Sequence, residues 1–333
     1  QTRPVAVCDL DERKVKAVKE SEGLEAGYTD YEKFLEHDMD IVVLATPIPD
    51  HVPQAVAALG LDKHVLSEVT AVYSLDECEV LISAVEKSKG KYMMAENCCF
   101  WAFIESWGEM ARQGRLGEII YAEAEYIHDV RSLMKDEKGQ VTWRARRPPI
   151  HYCTHSLGPL LQIMNDRCIS AMGLHTGSKI WPEVGNIDME VGIFKTQKGA
   201  VIKILRGAAV CREPAFHYYS IYGTNGCLET RRPGGEDGTL AYFEDIPNLH
   251  GMLSIPLNII HPRVGEAARV GGHGTADYVM FDSFVRSILD DTTPVIDVYR
   301  ALDFTVPGIC AHISAEGGGK PVEVPSFRKQ VKG

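Results

Sequence analysis

Residues 40–46 (DIVVLAT) constrain the fold more than any other segment. The run is almost continuously apolar and β-branched, and it is closed by an acid on one side and Pro47 on the other. That pattern predicts a short strand buried on both faces, the kind found in parallel sheets covered by helices. Its neighbours repeat the theme. Residues 4–9 (PVAVCD), 64–68 (HVLSE) and 91–95 (KYMMA) read as strands. Residues 12–22, stopped by Gly23, and residues 30–36, 51–61 and 74–88 read as helices. Ser74 is the expected N-cap of the last, with Glu77 three residues on completing a capping box. Strands alternating with helices imply βαβ units with right-handed crossovers.

The pattern changes after about residue 115. Residues 119–128, 188–196, 200–208 and 217–223 alternate or run apolar without long helices between them, and turn signals at 197–199 and 224–226 separate some of them. A mostly antiparallel sheet is expected, then helices at 277–289 and 299–316 and the tail PVEVP. The chain therefore divides into a parallel-sheet domain, 1–98, and an α+β domain, 99–333. A length of 333 residues suits two domains. The net charge of −11, without a long basic run, argues against nucleic acid, and no apolar run has the length of a membrane span. Nine cysteines, two of them adjacent at Cys98 and Cys99, suit neither a disulfide framework nor a zinc site. They read as reduced, mostly core thiols in a cytoplasmic-type compartment, and no metal is expected. The chain opens on Gln1 with no signal peptide. A cytoplasmic location is expected, with an upstream signal left open because the start reads as truncated.

In a dinucleotide-binding fold the first strand leads into G-x-G-x-x-G and a helix, and an acid that binds the adenosine ribose follows on the next strand. Residues 4–9 look like that second strand, with Asp9 as the acid. No G-x-G-x-x-G occurs in the chain; the glycines around Gly318 follow a helix. Taken alone, Asp9 reads first as a strand-end cap, as in any α/β protein.

Three segments, DIVVLATPIPDHVPQAVAAL, KHVLSEV and KYMMAENCCF, resemble the Gfo/Idh/MocA family of NAD(P)-dependent oxidoreductases. The resemblance implies a truncated, Rossmann-like parallel-sheet domain for dinucleotide binding, 1–98, followed by an α+β domain with an open, mostly antiparallel sheet for substrate binding and oligomerisation, 99–333. It also implies cofactor contacts from Asp9, Ala45, Thr46, Pro47, His51, Glu68 and Asn97. The family's Glu-Lys-Pro motif is here Glu68, Val69 and Thr70. The lysine that assists proton transfer in plain sugar dehydrogenases is therefore absent. SEVTAVYSLDECEVL, MMAENCCFW, the EYIHD stretch, HYCTHSLGPLLQ and the GGHG stretch look like the NAD-dependent glycosidases of glycoside hydrolase family 109. In that group NAD stays bound through turnover: a sugar hydroxyl is oxidised, the aglycone eliminated, water added and the ring reduced again. On this resemblance the missing first strand and glycine loop are explained by truncation of one βα unit; the alternative is a chain that has lost dinucleotide binding. Without the loop, NAD binding by the chain as it stands is expected to be poor. NAD and NADP stay undistinguished.

Removing a hydroxyl proton while hydride leaves the same carbon needs a base near neutral pH. His155, in Y-C-T-H-S-L-G-P, suits this, just before an apolar helix that Pro159 enters at its first turn; a capping or core histidine is the alternative. Tyr152 is the expected catalytic neighbour and His151 a substrate contact. Tyr126 and His128 alternate on a strand and share one face; they resemble substrate-pocket residues, with core packing the bland reading for the tyrosine. Trp143 can pack on a sugar face and Arg144 can hold hydroxyls or an anion. Arg146 and Arg147 read equally as a solvated loop. Together the arginines point to an anionic substituent, carboxylate or sulfonate. His273 in GGHG is expected at the site or an interface. Oxidation at C3 acidifies the C2 hydrogen, so elimination avoids the paired carboxylates of ordinary glycosidases, and the nicotinamide carries the redox step. Three functions follow: an NAD-dependent glycoside hydrolase, a net sugar or cyclitol dehydrogenase, and a non-catalytic sugar-binding paralogue. The expected partners are a small sugar or glycoside and further copies of the chain, as homodimer or homotetramer.

Overall fold

The computed structural model describes residues 2–232, 238–256, 264 and 275–328. His273 and the rest of GGHG lie outside the described residues. The first part alternates as the apolar runs predict: β1 (Ala6–Cys8), α1 (Glu12–Glu22), β2 (Ala26–Tyr28), α2 (Tyr31–Leu35), β3 (Ile41–Leu44), α3 (Ile48–Gly60), β4 (His64–Ser67), α4 (Glu77–Lys87) and β5 (Tyr92–Met94). Aspartates start the first two helices. Asp11 accepts from the Arg13 amide, and Asp30 from those of Glu32 and Lys33, satisfying N–H groups that have no partner within the helix. Gly23, at φ 64°, ends α1 in the left-handed conformation that glycine adopts without strain. α4 starts later than the sequence reading has it, behind Asp76. Glu77 still reaches back, its Oε2 accepting from the amides of Ser74 (3.2 Å) and Tyr73 (2.6 Å).

All ladders in this part are parallel, but they form two sheets, β1–β2 and β3–β4–β5. No ladder joins β1 to β3 among the described residues. Val43, in the middle of the most apolar strand of the chain, is 54% exposed. The peptide between Val69 and Thr70, just past β4, is cis.

The second part contains α5 (Ala102–Arg112), β6 (Ile119–Ile127), α6 (Trp143–Arg146), α7 (Thr154–Met164), β7 (Cys168–His175), β8 (Met189–Thr196), β9 (Val201–Gly207), β10 (Phe216–Gly223), β11 (Gly226–Thr230), β12 (Thr239–Phe243), β13 (Leu253–Ile255), α8 (Ala276–Leu289), α9 (Val298–Glu316) and β14 (Val322–Glu323). Nine of its strands make one sheet in the order β13-β12-β11-β10-β6-β9-β8-β7-β14. Every pairing is antiparallel except β6 with β9. The long helix α9 packs on this sheet and on the first part. It seats on β7 at Gly173, where a Cβ would lie 2.1 Å from the Ala311 carbonyl oxygen. The Thr305 hydroxyl accepts from the Ala71 amide at 3.3 Å, and the Ile296 carbonyl just before α9 accepts from the Met94 amide at 3.1 Å. One apolar core runs through both parts. All nine cysteines are free thiols and six are buried. No helix among the described residues is long and apolar enough to cross a membrane.

Candidate active site

Sheet register assembles the first half of the site. His217 on β10 lies opposite Tyr126 on β6, Tyr126 opposite Arg206 on β9, and Arg206 opposite Glu190 on β8. Cross-strand partners share a face, so four polar residues form a row near one end of the sheet. The Tyr126 and His217 rings stack at 3.9 Å, and the Arg206 guanidinium sits 4.1 Å from the Tyr126 centroid. The Tyr126 hydroxyl meets His128 Nδ1 at 2.6 Å, so the two residues expected to share a face also share a hydrogen bond.

The second half comes from the 3-10 turn Pro149–Tyr152 and the start of α7. His155 is the second residue of α7, inside the helix, and Pro159 is an interior residue, not a first-turn one. A proline there has no N–H for the carbonyl four residues back. That carbonyl belongs to His155, and the Tyr219 hydroxyl from β10 donates to it instead. The proline thus ties the helix carrying His155 to the sheet carrying Tyr126 and His217.

His155 Nδ1 lies 2.7 Å from Oε1 of Glu96, which follows β5 and is fully buried. A carboxylate only accepts, so the proton of this contact sits on Nδ1, and Nε2 is the basic nitrogen. The other Glu96 oxygen, Oε2, is buried without a hydrogen-bond partner among the described residues. Gly158 makes room for this pair: a Cβ there would lie 3.3 Å from Glu96 Cγ and 3.0 Å from the Phe304 ring. Tyr152 and Tyr126 present their rings edge-on to His155 at 4.9 and 5.7 Å. Burial pushes the Tyr152 hydroxyl up to about 12, with nearby Arg147 acting the other way, so Tyr152 is a hydrogen-bond donor at neutral pH. Glu96, Cys98 and His155 bring three possible ligand atoms within 4.8 Å of one another. Burial holds the Cys98 thiol well above its ordinary range, and the geometry is that of an acid–base dyad beside a neutral thiol.

The other expected residues distribute unevenly. His151 packs against Tyr73 and His312, at 6.1 and 5.3 Å between rings. Burial, with His312 and Arg147 adding to it, drives its imidazole down to about 3, so it is neutral. Trp143 and Arg144 stack on each other at 4.6 Å. Arg146 is exposed, as a solvated-loop reading requires, but Arg147 is 5% exposed and its guanidinium lies 4.1 Å from the Tyr152 centroid.

On the cofactor side, Ala45, Pro47 and Glu68 are exposed just beyond the C-terminal ends of β3 and β4, the side of a parallel sheet where ligands bind. Thr46 bonds to Gln54 at 2.7 Å. His51 is buried, with its two ring nitrogens 2.9 Å from the carbonyls of Thr70 and Thr46; it pins these two strand ends together rather than facing outward. Asn97 is buried and donates to Asp277 at the start of α8 at 2.8 Å. Asp9 Oδ1 accepts from the Asp11 amide at 2.8 Å, the strand-end cap, and Lys14 lies 3.9 Å from Oδ2. Val69, in the place of the family's lysine, is buried. These residues fit a nicotinamide beside His155, because the exposed strand ends border the dyad. Neither helix start next to these strand ends suits a pyrophosphate: α1 opens on Asp11 and Glu12, and α3 on Pro47 with Asp50 in its first turn.

Sequence reasoning missed Glu96, Arg206, His217 and Tyr219. Only Glu96 carried a readable signal, as the acid directly after a parallel strand in KYMMAEN. The other three become neighbours of His155 through pairing of β6 with β9 and β10.

Residues 1–96 match the family model described as oxidoreductase family, NAD-binding Rossmann fold, and residues 175–331 match the glycosyl hydrolase 109 C-terminal domain. A glycosyl hydrolase family 109 protein of Solibacter usitatus is 29% identical over 362 residues, covering 97% of this chain and 82% of that one. A Shewanella oneidensis protein named alpha-N-acetylgalactosaminidase is 27% identical over 367 residues, covering 97% and 79%. Among solved structures, a levoglucosan dehydrogenase in complex with NADH and levoglucosan superposes with a TM-score of 0.84 at 16% identity, covering 97% of this chain and 90% of that one. An oxidoreductase domain protein from Kribbella flavida gives 0.83 at 20% identity, covering 97% and 91%.

Proposed function

Because the chain belongs to the Gfo/Idh/MocA oxidoreductases and carries a glycosyl hydrolase 109 C-terminal domain, we propose that it is an NAD-dependent glycoside hydrolase acting through transient oxidation of its sugar, with His155 as the base. The observation that carries this assignment is the buried Glu96–His155 pair set between two tyrosines, with valine in the place of the dehydrogenase lysine. Bound NAD supplies a reversible hydride acceptor, which makes the sugar a ketone for part of the cycle. The chain supplies proton handling. His155 Nε2 takes the proton of the hydroxyl being oxidised and returns it at the end, while Glu96 fixes the ring and stabilises its charged form. Tyr152 donates to the sugar oxygen beside the imidazole, and Tyr126 with His128 orients the ring. Ala45, Thr46, Pro47 and Glu68 hold the nicotinamide end, and Asp9 the ribose. In this reading residues 1–98 carry the cofactor and 99–333 the sugar.

The test is hydrolysis of an aryl α-N-acetylgalactosaminide in deuterated water. Release of the aryl group without net NADH, with deuterium at C2 of the released sugar, is the expected result. Unlabelled product overturns the mechanism. A net sugar dehydrogenase is the second reading, favoured by the fold shared with a levoglucosan dehydrogenase; NADH produced mole for mole with substrate would select it. The outer face of the nine-stranded sheet exposes Met172 and Leu174 of β7 and Ile193 of β8. We assign that face to pairing with a second copy, and a one-chain mass by light scattering at micromolar concentration would count against it. We assign the protein to the cytoplasm, a reading supported by nine cysteines that are all free thiols.

A further inference from the structure

Around the proposed sugar site stand two cations that no carboxylate among the described residues neutralises. We infer that Arg147 and Arg206 form an oxyanion subsite, so that the glycoside accepted beside His155 carries a carboxylate or a sulfate ester. This inference rests on the site being a sugar site. The two residues are 5% and 1% exposed, yet neither has a carboxylate within salt-bridge distance among the described residues. Arg147 Nε and Nη1 and Arg206 Nε are enclosed without hydrogen-bond partners among the described residues. Arg206 spends Nη1 on the carbonyls of Tyr126 and Gly207. The acid opposite it in the sheet, Glu190, is committed elsewhere: its oxygens hold the Ile150 amide at 3.1 Å and His312 at 2.9 Å.

The two guanidiniums are held by aromatic faces. Arg147 lies between Trp143 (5.7 Å) and Tyr152 (4.1 Å), and Arg206 between Tyr152 (5.8 Å) and Tyr126 (4.1 Å). Faces of this kind orient a cation without satisfying its N–H groups. An arginine buried with open N–H groups is costly unless an anion completes it, and its planar fork matches a carboxylate or sulfate. Burial, with repulsion from Arg206 adding to it, pulls the Arg147 guanidinium down to about 9, and an incoming anion would oppose this. The same two tyrosines flank His155 at 4.9 and 5.7 Å, so an anion held by this stack lies within one sugar ring of the base.

Calorimetry on the full chain tests the assignment with three probes: methyl α-galactoside, methyl α-galactosiduronate and galactose 6-sulfate. At least one acidic sugar should bind about tenfold or more tightly than the neutral one, and the winning arm tells carboxylate from sulfate. In Arg147→Met and in Arg206→Met the gap should close to about threefold or less. Arg147→Met should also melt no lower than the parent, because it removes a buried charge without a partner. Packing as the only role predicts the reverse, a lower melting point with the gap intact. A parent chain that prefers neither acid, or binds none of the three probes, overturns the assignment, as does a gap that survives both substitutions. Should Arg147→Met fail to fold, the comparison within the parent chain still decides. Binding is read without turnover. A failure of glycoside hydrolysis therefore removes the catalytic reading and leaves this one standing, and equal binding of acid and neutral sugars with normal hydrolysis does the opposite.

Discussion

Replacing Glu96 with glutamine isolates what the buried carboxylate does for His155. The side chains are nearly equal in shape, so Gly158 keeps its contact; the Cys98 amide, which donates to the same Oε1, loses its acceptor where the glutamine turns its NH2 towards Nδ1. What changes is the 2.7 Å hydrogen bond to Nδ1. A hydrogen bond to a charged group contributes about 1.5–3 kcal/mol and a neutral one about 0.5–1.5 kcal/mol. Losing the charge therefore removes about 1–2 kcal/mol from the imidazolium formed during turnover, roughly 5–30-fold in rate. The amide adds a second effect. Its NH2 group donates to Nδ1, moves the ring proton to Nε2 and leaves the base without its lone pair; in serine-protease triads the equivalent change costs about 10⁴-fold. We expect kcat for Glu96→Gln to fall by about 10²–10³-fold, with KM changed by less than about threefold. The melting temperature should change little, because removal of a buried charge offsets the lost Cys98 amide contact. His155→Ala should cost about 10²–10⁴-fold, and the double variant should be no worse than His155→Ala alone. The assay is steady-state release of an aryl aglycone, with circular dichroism as the fold control. A folded Glu96→Gln variant that keeps more than about a tenth of the parent kcat would refute the dyad.

Three further outcomes follow from the packing. Gly308→Ala places a methyl 2.5 Å from the Ile150 carbonyl oxygen and 2.7 Å from Cys153 Sγ; it should cost about 1–3 kcal/mol in urea melts and lower turnover by displacing the turn that leads to His155. An unchanged melt would show that α9 and the turn slide apart freely. His151 has a folded pKa of about 3 against an ordinary 6.5. Its stability contribution is present above pH 6.5 and is lost as pH falls from 6.5 towards 3, by up to about 5 kcal/mol. Urea melts at pH 7 and pH 4 should differ less in His151→Gln than in the parent; equal differences would assign the acid sensitivity elsewhere. Trp107 is 1% exposed and donates to Thr239 Oγ1 at 3.0 Å. Trp107→Ala should destabilise by about 3–5 kcal/mol and Trp107→Phe by clearly less; equal losses would argue against a packing origin.

The sequence was most legible where apolar runs are continuous. Residues 40–46 and 64–68 read as strands from their β-branched, apolar runs, and β3 and β4 sit there, although the face of β3 that carries Val43 is exposed and not buried as expected. β7 was missed because its outer positions carry Met172 and Leu174, which blurs alternation, and Gly173 reads as a breaker although it serves close approach of α9. His155, Tyr152, Tyr126 and His128 were found through local motifs, and the structure brings them together. Arg147 was not separable from a solvated loop, because its burial depends on Tyr152 and Arg206, the latter from a strand far along the chain. Glu96 was passed over for Asn97, its neighbour; one residue past a strand end decides which side chain turns inward, and that parity is not written in composition.

The division of the parallel strands into two sheets has a dynamic consequence. β1 and β2 have three residues each, all only half-buried, and among the described residues they pair only with each other. A two-stranded ribbon is marginal on its own, so this one relies on α1 and α2, which cover it with little more than Val15, Phe34 and Leu35. The amides of β6 and β9, by contrast, lie inside a nine-stranded sheet with α7 and α9 against it. Stability is therefore graded along the chain. The ribbon that carries Asp9 opens in small local events, while the sheet beneath the dyad opens only with the whole fold. Hydrogen exchange in residues 6–8 and 26–28 runs ahead of the rest, and the end of the protein assigned to the cofactor's ribose is the end with the lowest free energy of opening.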